Sequence, residues 1–176
     1  MKKLLIPAVI AVLTLTGCSA GRLQERGWLR AAAAENGRYA FSFFGDTEPV
    51  SLKAESLSEA LHAAELRCGR EIFTGYTELI VLGDCPAKEL LSEMLTDWRV
   101  SPDCIVVESR SDPCRLLTDG SAELIEGSVK RAAEKGEVPE SSILSVLSGL
   151  LSSNDSAEIP SVTSRGACGK TTIRGA

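Results

Sequence analysis

The chain has 176 residues, 44% of them hydrophobic and 24% charged, with 19 basic and 24 acidic side chains and a formal net charge of -5. One domain with a real core is the expectation at this length. An acidic chain without a basic stripe repels a phosphate backbone, which excludes nucleic acid as a partner.

The N-terminus carries its own instruction. Met1-Lys2-Lys3 is a positive start, Leu4 to Leu15 is an almost unbroken apolar run, and Thr16-Gly17-Cys18 follows. The run falls well short of the ~20 apolar residues that span a bilayer, so residues 1–17 read as a signal peptide rather than a permanent anchor. Leu15-Thr16-Gly17-Cys18 resembles a lipobox, which implies lipidation of Cys18 and cleavage just before it. Losing Lys2 and Lys3 with the signal leaves 17 basic against 24 acidic residues, a net of -7, so membrane attachment must come from the lipid and not from a polybasic patch. Five further cysteines remain: Cys68, Cys85, Cys104, Cys114 and Cys168. Their spacings contain no C-x-x-C, which argues against a zinc site or a thioredoxin-like motif, and an odd count cannot pair completely. They are expected as small buried thiols.

Trp28 to Ala34, a turn at Asn36-Gly37 and Tyr39 to Phe44 form an expected β-hairpin, although Ala31 to Ala34 favour helix by propensity. Ser56-Leu57-Ser58-Glu59 is a capping box that opens a helix with Leu57, Ala60, Leu61, Ala64 and Cys68 at helical spacing until Gly69. Leu79 to Leu82 is a short apolar run bounded by glycine, as expected of a buried strand. Pro86 opens the next helix, with Leu90, Leu91, Met94 and Leu95 as its stripe. Cys104 to Val107 is a second buried strand one helix later, the pattern of a parallel crossover unit. Leu116-Leu117 and Ala122 to Lys135 read as helical. Pro139 starts a last helix whose Ile143, Leu144, Leu147, Leu150 and Leu151 share a face, and Ser152 to Glu158 is polar and turn-rich. The fold class is therefore mixed α/β (α+β): a small central sheet with crossover helices, preceded by a hairpin and followed by a helical segment.

No catalytic, metal-binding or cofactor-binding residues are expected, and the chain reads as a non-enzyme. His62 is the only histidine and lies within the first helix, which removes a histidine-rich metal site. Gly169-Lys170-Thr171 resembles the end of a phosphate loop, but the glycine that the pattern requires five positions earlier is Ser164, and no strand leads into it. Asp84 and Asp97 sit at strand or helix ends, where turn and capping roles suffice. A thiol-dependent enzyme using Cys85 or Cys114 has no partner histidine nearby to support it.

From Ser56 to about Pro160 the order of motifs resembles the N-terminal domain of the Ger(x)C spore germination lipoproteins, the C subunits of germinant receptors. Ser56 to Leu61, Gly69-Arg70-Glu71-Ile72-Phe73-Thr74-Gly75-Tyr76 and Thr77 to Asp84 are similar to that family's helix, Arg-hydrophobic-Phe stretch, glycine turn and buried strand. Leu90-Leu91 through Asp97-Trp98-Arg99-Val100-Ser101-Pro102, Cys104 to Val107, and Ile159-Pro160 are similar to its next helix, second strand and late proline. Here Ser19-Ala20 follows the cysteine, where the family often has Trp-Asp. Family members run about as long again, so the resemblance implies a lipidated N-terminus and hairpin over 18–55, an α/β core over 56–160, and the start of a truncated second domain over 161–176. It also implies a non-enzymatic lipoprotein subunit on the outer face of the cell membrane (the spore inner membrane), beside the integral membrane subunits of the receptor. A solute-binding lipoprotein, with a pocket between strand ends and crossover helix, is the alternative. Arg70, Phe73, Tyr76, Trp98 and Arg99 are expected at an interaction surface, since such residues are enriched at interface hot spots. The competing expectation puts Phe73 and Tyr76 in the core and Arg70 at a solvated helix end.

Overall fold

The computed structural model describes residues 26–175. The expected signal peptide (1–17) and the lipidation site Cys18 lie outside these residues. In chain order the elements are β1 (Gly27–Glu35), β2 (Arg38–Phe43), β3 (Val50–Lys53), α1 (Leu57–Cys68), β4 (Ile72–Phe73), β5 (Leu79–Leu82), α2 (Ala87–Thr96), β6 (Ile105–Ser109), α3 (Pro113–Thr118), α4 (Ala122–Glu134), α5 (Ile143–Leu150), β7 (Ser156–Thr163) and β8 (Gly166–Arg174). Among the described residues, no helix is long and apolar enough to cross a membrane.

The strands form one sheet in the order β3-β2-β1-β5-β6-β7-β8, with β4 paired to the start of β1. Asn36 and Gly37 adopt φ of 46° and 72°, the two positive values that a two-residue hairpin turn needs, and Glu35 pairs with Arg38 across them. The hairpin does not simply precede the sheet. Its first strand is central, parallel to β5 from Ala31↔Leu79 to Ala34↔Leu82, and β5 in turn is parallel to β6. The expected crossover unit is thus present, with α2 as its helix.

Helices cover both faces of the sheet. On one, Leu29, Ala32, Ala34, Phe41, Ile80, Leu82, Val106 and Ile159 meet α1, α2 and α5; on the other, Ala31, Ala33, Ala40, Leu79, Val81, Val107 and Val162 meet α3 and α4. This explains why Ala31 to Ala34 are strand despite their helical propensity: all four are buried between two layers, and tertiary burial overrides a weak local preference.

The helix starts follow local chemistry. Glu59 N–H donates to Ser56 Oγ at 3.1 Å, while the Glu59 carboxylate accepts from Glu55 N–H at 2.9 Å, one residue further back than a reciprocal box would place it. Pro86 caps α2, and Leu90, Leu91 and Met94 are its buried stripe.

The last third departs from expectation. Ser142, not Pro139, caps α5, its Oγ accepting from Ser145 N–H at 3.2 Å. The buried face is Ile143, Val146, Leu147 and Leu150, so Leu144 and Leu151 are exposed. Ser156 to Glu158, expected in a polar turn, already belongs to β7. Within the span 161–176, expected to begin a second domain, the end of β7 and all of β8 continue the same sheet, with β8 antiparallel to β7 from Ser156↔Arg174 to Thr163↔Gly166.

Candidate functional site

The expected surface residues divide. β4 runs parallel to the start of β1, with Trp28 opposite Phe73, and this pairing brings the two rings to 5.1 Å, edge to face. The next turn is clamped by threonines: Thr74 Oγ1 donates to the Trp98 carbonyl at 2.7 Å, and Thr77 Oγ1 donates to the Thr74 carbonyl at 2.6 Å. Gly75 lets the Phe73 ring lie close, since a Cβ there would stand 2.9 Å from it and the ring would have to shift. The clamp turns Tyr76 outward, 62% exposed, with its ring 5.3 Å from Trp28 and 5.4 Å from Phe73. Phe73 is 36% exposed. Arg70 and Arg99 are exposed beside this three-ring cluster, and Arg99 takes a left-handed turn at φ 54°.

Trp98 does not belong to the surface. It is 7% exposed, joins the core and stacks against Phe41 at 5.8 Å. Helix α2 ends at Asp97, and the left-handed Arg99 reverses the chain so that Trp98 tucks under the sheet. Trp28, not expected at the site, takes its place.

Behind Trp28 and Tyr76 a groove of about 500 Å³ lies across the amino ends of β1, β5 and β6. Phe44 and Ile105 extend its apolar wall, and Glu78, Asp103 and Lys130 supply charge. The charged end is continued by Arg30. A bulge between Leu29 and Ala31 breaks the alternation of β1, so that Arg30 turns toward α4. There it lies 3.3 Å from both Glu123 and Glu126 and 3.6 Å from Glu78, and over the Phe44 ring at 5.2 Å. Lys130 reaches Glu126 at 2.6 Å. Burial pushes the Glu78 carboxyl above its ordinary range, and contact with Glu126 adds to this against the pull of Arg30 and Lys130. Burial also works on Glu126, but bonds from Lys130, Glu78 and Arg30 outweigh it and hold that carboxyl low. A proton taken up by the pair therefore goes to Glu78.

A second hollow of about 750 Å³ lies at the carboxyl ends of the strands, where the solute-binding expectation placed a pocket. Glu35, Asp84, Arg110 and Asp112 are among its lining residues. Arg38 donates to Asp112 at 2.9 Å and to Glu35, which ties up two of these carboxylates. Lys170, in the motif resembling a phosphate loop, lies within β8 and pairs with Glu158 at 2.9 Å. His62 is exposed, 4.0 Å from Glu65. No group of three or more metal-ligating side chains occurs among the described residues.

The thiols are free, but not uniformly buried: Cys104 and Cys114 are, Cys68 and Cys85 are half-buried, and Cys168 is exposed on β8. Burial pushes the Cys85 and Cys114 thiols up to about 11, and Cys104 higher still. Since the thiolate is the reactive form, native alkylation at pH 8 should modify Cys168 first and Cys104 and Cys114 last. Peptide mapping of a time course checks this order, and early labelling of Cys104 would contradict the packing of β6.

No family model, curated protein or solved structure matches the chain.

Proposed function

We propose that this chain is a non-enzymatic lipoprotein subunit of a spore germinant receptor, tethered through Cys18 to the outer face of the membrane. In this reading the surface of Phe73 and Tyr76, flanked by Arg70, Arg99 and Trp28, docks on the receptor's integral membrane subunits. The observation that carries the reading is the exposed three-ring cluster. Trp28, Phe73 and Tyr76 pack on one another beside two arginines that enter no ion pair among the described residues. Aromatic and arginine side chains that pack with water on one side are the composition of interface anchors. The position of the cluster adds support, since Trp28 lies only ten residues after Cys18, so a lipid there would hold this edge near the membrane. The motif order from Ser56 to Pro160 supports the family named above.

The test is co-purification of the tagged chain with its membrane subunits from detergent extracts. Phe73→Ala with Tyr76→Ala should leave folding intact and weaken capture by roughly 2 kcal/mol or more, about thirtyfold. Capture at the wild-type level would remove this surface from the interface. The same extracts test the tether, because an unmodified N-terminal mass on the mature chain would refute lipidation.

A further inference from the structure

We infer that the groove behind Trp28 and Tyr76 is a binding site for a small organic cation, an ammonium group carried on an apolar body. Its volume of about 500 Å³ suits a small molecule, and most of its wall is apolar. The rings of Trp28 and Tyr76, packed on one another at 5.3 Å, line the groove side by side, so that a cation lying in it meets aromatic carbon.

Charge chooses the sign of the ligand. The charged side chains that line the groove are two carboxylates, Glu78 and Asp103, against one cation, Lys130, and Arg30 beside it is enclosed by the carboxylates of Glu78, Glu123 and Glu126. Both cations are already held in ion pairs, Arg30 by three of these carboxylates and Lys130 by Glu126. Asp103 enters no ion pair among the described residues, and Glu78 meets Arg30 only at 3.6 Å. An arriving ammonium offsets the surplus of negative charge, whereas a carboxylate or phosphate adds to it. An adjoining hollow of about 340 Å³ shares Asp103, Ile105 and Lys130 with the groove. It is lined in part by Ser141, which is buried and whose Oγ has no hydrogen-bond partner. That hydroxyl offers a polar contact to a ligand long enough to pass Ile105.

The inference does not depend on the receptor reading, and its test uses the purified chain alone. The chain has two tryptophans, so its indole N–H resonances report separately on Trp28 in the groove and Trp98 in the core. Phenethylammonium should shift the Trp28 resonance saturably, with a dissociation constant on the order of 1 mM or tighter, and leave Trp98 in place. Phenylpropionate, the same ring on a carboxylate, should bind at least about tenfold more weakly. Glu78→Gln combined with Asp103→Asn should weaken phenethylammonium by a similar factor; if that variant does not fold, the exposed Tyr76→Ala substitution should do so instead. Absence of a saturable shift, equal binding of the two probes, or unchanged affinity in the folded variant would each overturn the assignment.

Discussion

Trp98→Ala is expected to lower stability by about 3–5 kcal/mol, the cost of emptying a large aromatic site in a packed core. The indole is 7% exposed, lies against Phe41 of β2, and belongs to the same cluster as Leu29 of β1 and Leu91 and Met94 of α2. None of these can fill the space without leaving its own site. For a domain of this size the loss corresponds to a melting temperature lower by about 10 °C or more. Arg99→Ala, one residue on, should change stability by no more than about 0.5 kcal/mol, since that side chain is exposed and outside every ion pair among the described residues. Thermal unfolding of the two single variants checks both expectations. A melting temperature for Trp98→Ala within about 2 °C of wild type would mean that the indole is not buried as described.

Arg30→Ala should cost about 2 kcal/mol at neutral pH, below the range for breaking a fully buried ion pair, because the pair is part-buried and Lys130 still serves Glu126. The Glu126 side chain is only 9% exposed, and without Arg30 it shares its site with Glu78 and loses a counter-charge. The pH dependence identifies the cause. Glu78 has a raised pKa, so above its unfolded value the folded state holds that proton more tightly, and the group's contribution to stability falls as pH rises through the window between the two values. Arg30 opposes the rise, so its removal carries the window upward. The destabilisation should therefore be larger at pH 7 than at pH 5, as read by urea unfolding at both. An equal loss at the two values would assign the effect to the contact of the Arg30 guanidinium with the Phe44 ring.

Elements whose signals are local are legible in the sequence. Asn36-Gly37 specifies a tight turn through backbone conformations that few other pairs adopt, Ser56 and Glu59 satisfy a helix end within four residues, and Leu79 to Leu82 is apolar on both faces because both faces are covered. What the sequence hides is set by distant partners. Gly166 to Arg174 has no apolar run, because an edge strand buries little, and it is a strand because β7 holds it. Ser156 to Glu158 lie at the end of β7 that β6 does not pair with, since that pairing takes in only Ser161 and Val162, and none of the three is buried. At the site, Phe73 and Tyr76 are legible as an aromatic pair in a glycine turn, but Trp28 joins them only through the β4 pairing, forty-five residues along from Trp28 to Phe73. Trp98 misleads because nothing in Asp97-Trp98-Arg99 announces the left-handed turn that sends its ring inward. Arg30 reads as an outward strand residue until the bulge turns it onto α4, and Glu126 and Lys130, four apart on one helix, give no hint of a third partner from the sheet.

The central place of β1 also governs how the domain bears load. Its amino end is the side on which a tether at Cys18 would pull, and the strand is bonded along one edge to β2 and along the other to β4 and β5. Those bonds run across the strand, so traction along its axis must shear them together. At the opposite end of the sheet, β8 is held along one edge only, by β7, and a pull on Arg174 would peel its bonds one after another. The domain is thus mechanically polar: firm at its central first strand and yielding at its far strand, so a drag strong enough to open it would unravel β8 before it dislodged β1.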